Sequence, residues 1–224
     1  MKKLICGFLG FATSAAFAVE SEAVSTIDVI KVESPLTNVV VAIPGFDLSG
    51  GGDLAISNLI KTTGLTVGDD LFAFDGTNYK RWTLDGNGIW QANDTSYVYA
   101  GGQIDISGTP AADTPMPVGQ GIWLRRAYPT NFYVYAVHDA TPSITVDAGA
   151  TVLLGNPLTT DKAPTITGAE VGDLILVPTA TFTSKYRYNG SAFVGLKGNL
   201  PAIVKGTGFW YKAESTGSTR TVSW

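Results

Sequence analysis

The sequence predicts an all-β protein of two tandem related β units, sandwich- or barrel-like, with at most one short helix near residues 54–62. Three observations predict it. Apolar runs are short and rich in Val, Ile, Tyr, Phe, Trp and Thr, with turn residues between them roughly every 8–12 positions. Several sequence blocks occur twice, in the same order. Only 15% of residues are charged while 11% are aromatic, a composition that folds rather than stays disordered.

Residues 1–18 come first and belong to neither unit. Lys2 and Lys3 are a positive start, Leu4 to Phe11 is a short apolar run, and Ala16-Phe17-Ala18 is a small-x-small cleavage site. That is the layout of a secretory signal peptide. The run is too short for a membrane span, which needs roughly 20 residues. Cys6 lies before most of the apolar run, the wrong place for a lipid anchor. Cleavage after Ala18 removes Lys2, Lys3 and the one Cys, and moves the formal charge from −4 to −6. The mature chain then holds no disulfide and no transmembrane helix, and depends on a packed core.

Val24 to Val32 alternates and reads as the first strand, and Val39 to Ile43 is a continuous apolar run ended by Pro44. Asp53 can cap a helix from Leu54, with Ile56, Leu59 and Ile60 at helical spacing and Gly64 beyond its end. Leu71 to Phe74 and Arg81 to Leu84 are strands followed by Asp75-Gly76 and Asp85-Gly86, hairpin signals because glycine takes positive φ cheaply. Strands follow at Tyr97 to Ala100, Ile122 to Leu124 and Phe132 to Val137. The second set is Ile144 to Val146, Val152 to Leu154, Leu174 to Val177, Tyr186 to Tyr188, Phe209 to Lys212 and Thr219 to Trp224.

The duplication is read block by block. Val67-Gly68-Asp69-Asp70-Leu71-Phe72 recurs as Val171-Gly172-Asp173-Leu174-Ile175-Leu176. Gly119-Gln120-Gly121-Ile122-Trp123-Leu124 recurs as Gly206-Thr207-Gly208-Phe209-Trp210-Tyr211. Arg81-Trp82 matches Arg187-Tyr188, Trp90 matches Phe193, and Val41 to Pro44 matches Leu154 to Pro157. The units are therefore set at 19–138 and 139–224, able to pack as one compact body. Trp123 and Trp210 stand in wholly apolar runs, so both are assigned to the core. Asp69 and Asp173, each just before a strand, read as turn residues.

The stretch Gly206-Thr207-Gly208-Phe209-Trp210-Tyr211 through Thr221-Val222-Ser223-Trp224 resembles the signature of a family of exported bacterial β proteins of the planctomycete–verrucomicrobial type. Val19 to Val24 and the Gly-Asp-strand block are similar to that family too. The resemblance implies an exported β protein. It implies no activity, cofactor or site residue.

Chemistry is sparse. A pI of about 4.9 argues against nucleic-acid binding, which needs a basic face. With one His, His138, and no Gly-x-Ser-x-Gly elbow, no catalytic triad is visible. The acids single out no carboxylate pair for glycoside hydrolysis, so a glycan hydrolase ranks low. Asp75 to Asn78 and Asp85 to Asn87 have calcium-binding atoms but read as β-turns. No catalytic residue, metal ligand or cofactor is named. The aromatic candidates for stacking on a ligand are Trp82, Trp90, Tyr97 and Tyr99. Trp224 on a closing strand raises an outer-membrane barrel, but strands of four to seven residues are short for one.

The expected function is a non-catalytic exported structural or adhesive protein of the periplasm, cell surface or exterior. The alternative is a secreted carbohydrate-binding module. Expected partners are a cell-surface glycan or other copies of the same chain.

Overall fold

A computed structural model of the chain describes residues 27–33, 37–42, 54–55, 60–61, 64–74, 78–93, 96–99, 102–105, 115–116, 121–137, 143–179 and 183–224. All regular structure among them is β, in antiparallel sheets. No helix among the described residues is long and apolar enough to cross a membrane.

The first half contains β1 (Ile27–Val32), β2 (Asn38–Ala42), β3 (Leu54–Ala55), β4 (Ile60–Lys61), β5 (Asp70–Phe74) and β6 (Tyr79–Leu84). It continues through β7 (Trp90–Ala92), β8 (Ser96–Tyr99), β9 (Gly102–Asp105), β10 (Pro115–Met116), β11 (Gly121–Arg125) and β12 (Phe132–Val137). The second half contains β13 (Ser143–Val146), β14 (Thr151–Gly155), β15 (Thr165–Thr167), β16 (Leu174–Pro178) and β17 (Thr183–Tyr188). It ends with β18 (Phe193–Gly195), β19 (Gly198–Asn199), β20 (Gly208–Lys212) and β21 (Arg220–Ser223).

The described residues of the stretch expected to form a helix are strand. Leu54–Ala55 pairs with Pro115–Met116, and Ile60–Lys61 pairs with β12. Ile60 and Lys61 gain ladder partners on β12 that a three-turn helix on this sheet would forgo. Residues 56–59 of the expected helix lie outside the described residues.

Strand order is the same in both halves, except that the second large sheet carries one further edge strand. The first half has a large sheet β2-β11-β5-β6-β7 and a small one β1-β12-β4. The second has β14-β20-β16-β17-β18-β19 and β13-β21-β15. None of these sheets closes on itself, so the barrel alternative falls and the sandwich stands. In the second half the core lies between the two sheets: Val146 and Val222 from the small one meet Leu154, Ile175, Phe209 and Tyr211 from the large one. Trp224 joins this core, 4% exposed, its ring 5.7 Å from Phe209. It faces protein and does not mark a lipid-facing strand end.

The Gly-Asp turns are the same in bond pattern as well. Gly68 and Gly172 take φ of +93° and +110°, the left-handed region glycine tolerates. Gly68 N–H donates to Leu84 C=O at 2.9 Å, and Gly172 N–H to Tyr188 C=O at 3.0 Å. Leu84 and Tyr188 return the bond to Asp69 and Asp173 C=O. Register also corrects one block match. Trp82 lies opposite Leu71, and Tyr186 lies opposite Ile175, so Arg81-Trp82 corresponds to Lys185-Tyr186 and not to Arg187-Tyr188. The offset is two residues, which keeps the same face of the strand.

The halves meet through glycine. Val41 bridges Thr207, and Ala42 N–H donates to Gly206 C=O at 3.1 Å. A Cβ on Gly155 would come within 2.2 Å of Ala42 Cα, and one on Gly208 within 2.8 Å of Val40 Cγ1. Val39 to Ala42 is accordingly buried throughout, as a continuous apolar run predicts.

Candidate functional site

The site is the outer face of the first large sheet. Side chains alternate along a strand, so Leu71, Ala73, Trp82, Leu84, Ile122 and Leu124 turn inward and are buried. Their neighbours turn outward: Asp70, Phe72 and Phe74 from β5, Tyr79, Arg81 and Thr83 from β6, Trp123 and Arg125 from β11.

The outward aromatics form one cluster. Tyr79 is its hub, with ring centroids 5.1 Å from Phe74, 6.4 Å from Phe72, 5.8 Å from Trp123 and 5.6 Å from Trp210. Trp123 also lies 5.7 Å from Phe72, and Trp210 lies 5.7 Å from Phe74. Trp210 belongs to the second half, so the cluster spans the junction. Phe72, Phe74, Trp123 and Trp210 are half-buried, and Tyr79 is 38% exposed. Burial pushes the Tyr79 hydroxyl up to about 12.

A charged patch borders the rings. Asp70, nearly buried, accepts from Arg81 Nε and Thr83 Oγ1, each at 2.7 Å, on one oxygen. Its other oxygen accepts from Arg125 Nε at 3.1 Å and from Arg125 Nη2. Arg125 also lies over Phe72, 5.1 Å from the ring centroid. Burial would raise the Asp70 carboxyl, but the bonds from Arg81, Thr83 and Arg125 outweigh it and hold the group below its ordinary value. The face therefore combines planar rings with fixed donors.

The sequence-derived candidates are not here. Trp82 is 0% exposed and Trp90 is 1% exposed, so neither ring offers a face to a ligand. Both point into the core because Arg81 and Thr83 take the outward positions on either side of Trp82, and Trp90 pairs with inward-facing Leu84. Tyr97 and Tyr99 lie on β8, in a two-stranded ribbon with β9 whose backbone alone is described. His138 and Asp75 lie outside the described residues. The open rings are Trp123 and Trp210, which sequence assigned to the core, together with Phe72, Phe74 and Tyr79.

The prominent acids have structural partners. Asp69 accepts from Thr66 N–H and from Ala127 N–H, both at 2.8 Å. Asp173 accepts from Glu170 N–H at 3.1 Å, Glu214 N–H at 2.7 Å and Tyr211 OH at 2.6 Å. Arg220 adds bonds to both Asp173 oxygens, and neither member of that pair is exposed. Burial would raise the Asp173 carboxyl, and these donors together lower it. Asp85 accepts from Asn87 and Ile89 N–H, a local turn as expected. Among the described residues no group of three or more His, Cys, Asp or Glu is placed to hold a metal ion.

No protein-family model, no curated protein and no solved structure matches the chain.

Proposed function

We propose that the protein is a non-catalytic exported protein, structural or adhesive, whose contact surface is the aromatic face around Tyr79. The observation that carries this is the five-ring cluster itself. Five large rings from two sheets share one surface, and each keeps part of its area open to solvent. Open aromatic clusters are the usual anchors of contact surfaces. The prominent buried acids act as turn and strand pins, which suits a scaffold. Export is supported by the layout of residues 1–18 and by the resemblance carried in residues 206–224. Shared strand order and shared turn bonds support reading the halves as copies of one unit. The partner is a cell-surface glycan or another copy of the chain.

The test has two arms. Expressed from residue 1 in an exporting bacterium, the chain is expected outside the cytoplasm with Val19 as its first residue. Purified protein is expected to bind whole cells or cell-wall fragments saturably, and the pair Tyr79→Ser with Trp123→Ser is expected to lose that binding while staying folded. Retention of residues 1–18 in the cytoplasm, or undiminished binding by the double variant, sinks the proposal.

One observation favours the second reading, a carbohydrate-binding module. Tyr79 and Phe72 sit beside the Asp70–Arg81–Arg125 network, which puts ring faces and fixed hydrogen-bonding groups on one surface. A glycan array separates the readings. Selective binding to one sugar class, lost with Tyr79→Ser, supports the module.

A further inference from the structure

The aromatic cluster reaches the second large sheet at Trp210, and the strand face that carries Trp210 continues into a cationic surface. Residues directly opposite one another on paired strands share a face. Leu176 lies opposite Trp210 and Lys185, and Leu174 lies opposite Arg187 and Lys212. Ile175, Tyr186 and Tyr211, between them in sequence, turn the other way into the core. The face therefore holds two rows, Lys185–Leu176–Trp210 and Arg187–Leu174–Lys212. Leu174, Leu176 and Trp210 are half-buried, and the three cations are exposed. None of the three cations makes an ion pair with a carboxylate among the described residues.

The first half shows which anion such a trio takes up. There Arg81, Thr83 and Arg125 stand at the places matched by Lys185, Arg187 and Lys212, and all three donate to the Asp70 carboxylate. In the second half Leu174 stands where Asp70 does, and no strand of that large sheet contains an Asp or Glu. Charge is divided along the chain in the same sense. Residues 139–224 hold seven Lys and Arg against six Asp and Glu, and residues 19–138 hold six against thirteen. A polyanion is therefore drawn to this face rather than to the chain as a whole.

We propose, resting on the glycan reading of the aromatic face, that the partner is an acidic polysaccharide with carboxylates on successive sugars. Its carboxylates are held by Lys185, Arg187 and Lys212 through charge-assisted hydrogen bonds, and its sugar faces lie against Trp210 and Leu176. Arg187 and Lys212 stand two strands apart, about 9.5 Å, and Lys185 and Arg187 two residues apart, about 7 Å. Those separations spread the cations along more than one sugar, which suits a polymer that repeats the carboxylate. A second copy of the chain fits less well. In its more acidic half Glu33, Asp69, Asp70 and Asp85 already hold partners of their own.

The test uses the purified chain with polygalacturonate, and with its methyl ester, which keeps the sugar backbone and removes the charge. Saturable binding of polygalacturonate in a calorimeter is expected, weakened by added salt and about tenfold weaker or worse for the ester. The triple variant Lys185→Gln, Arg187→Gln, Lys212→Gln is expected to lose about tenfold or more, since each cation contributes a charged hydrogen bond. Leu174→Asp supplies the counter-ion that Asp70 supplies in the first half, and is expected to weaken binding about tenfold by the same reckoning. Leu174→Asn, of similar size and uncharged, is expected to lose little. The three cations are exposed and the place matched to Leu174 holds Asp in the first half, so these variants are expected to keep the wild-type urea midpoint. Equal binding of acid and ester, undiminished binding in the triple or Leu174→Asp variant, or no saturable binding of polygalacturonate overturns the proposal. Self-association of the chain alone that the triple variant abolishes assigns the face to a second copy and overturns it as well. The double variant Tyr79→Ser with Trp123→Ser tells the two readings apart. Binding lost in it but kept in the cation variants leaves a glycan contact and removes the acidic partner. Binding kept in it but lost in the cation variants leaves the acidic partner and removes the rings from the contact.

Discussion

At one matched position on the large sheets stand Asp70 and Leu174, and much of the difference between the halves follows from that pair. Around Asp70 the outer face is ordered: Arg81 and Arg125 are pinned, Arg125 lies on Phe72, and the rings gather at Tyr79. Around Leu174 the same face carries Lys185, Arg187 and Lys212, with no ion pair between them and a carboxylate among the described residues. A second matched pair shows the reverse pattern, conserving the chemistry while moving its source. Register sets Phe132 opposite Val32 and Arg220 opposite Val146. Arg220 reaches Asp173 directly from its strand and also donates to Ser218 C=O. In the first half Phe132 takes that strand position, and Arg126 comes in from the end of β11, stacks over Phe132 at 4.9 Å and donates to Thr130 C=O. Cores tolerate a guanidinium delivered from another position if it still finds acceptors. Faces change character with one acid.

The largest effect is expected at Asp173. It is fully buried and takes five hydrogen bonds, two of them from a guanidinium that is itself fully buried. Asp173→Asn strands a buried charge, which costs about 3–5 kcal/mol. In a protein of ordinary stability that is much of the total. Asp69→Asn in the first half is expected to cost about 1–3 kcal/mol, since mainly backbone donors are affected. Urea unfolding of both variants checks this. Equal costs would break the claim that the two pins differ in their charge environment.

Next comes the seam. Gly155→Ala drives a Cβ into the Ala42 backbone, and overpacking of this kind costs about 1–3 kcal/mol. Ala42 and Gly155 hold corresponding places, opposite Gly121 and Gly208. The double variant Ala42→Gly with Gly155→Ala is expected to recover part of the loss by removing one of the clashing Cβ atoms. Tryptophan fluorescence is a second reading, because separation of the halves takes Trp210 from Phe74 and Tyr79. A single variant with wild-type stability and emission would show that the halves do not depend on this contact.

A smaller effect tests the Asp70–Leu174 difference itself. Asp70→Leu makes the first face like the second. Arg81 and Arg125 are 42% and 51% exposed, so water screens the pairs, and the expected cost at neutral pH is about 0.5–1 kcal/mol. The pH dependence has a definite sign. The folded carboxyl lies below its unfolded value, so its stabilisation is present above about pH 4 and fades as pH falls through the folded value. The gap between wild type and Asp70→Leu is expected to narrow in acid. A gap that widens there would mean the arginines do not stabilise the carboxylate.

The same comparison shows where sequence reasoning reached and where it stopped. Strand class, the Gly-Asp turns and the inward burial of most apolar positions were all legible, because period-two alternation and glycine chemistry are local signals. Trp82 was legible too: Arg81 and Thr83 flank it, so alternation places it inside, where its ring is closed to a ligand. Trp123 and Trp210 were not legible. In Ile122-Trp123-Leu124 and Phe209-Trp210-Tyr211 every residue is apolar, so alternation carries no face. Only the pairing of Trp123 with Phe72 and Val40 sets it. The described ends of the stretch expected as a helix from Leu54 are strand for a related reason, since a few apolar residues fit either period until a partner strand chooses.

The smallest expected effect sits at the hub of the aromatic face and measures how open that face is. Burial alone raises the Tyr79 hydroxyl, to about 12. A tyrosine raised in the folded state contributes stability that is intact below its unfolded value near pH 10 and is lost as pH climbs toward the folded value. The nine tyrosines overlap in a near-ultraviolet absorbance titration, so the useful quantity is wild type minus Tyr79→Phe. That difference is expected to rise near pH 12 rather than near pH 10, while neutral-pH stability changes little because the ring is retained. Tyr211 is raised further by burial and by its bond to Asp173, and stays in both proteins, so it cancels. A difference curve centred near pH 10 would mean water reaches Tyr79 fully, and the half-open face would then be an open one. A neutral sugar stacked on the ring would push the curve still higher by excluding water, whereas an unrelated solute would leave it in place. The titration therefore reads both the burial that separates Tyr79 from an ordinary surface tyrosine and the occupancy of the face it anchors.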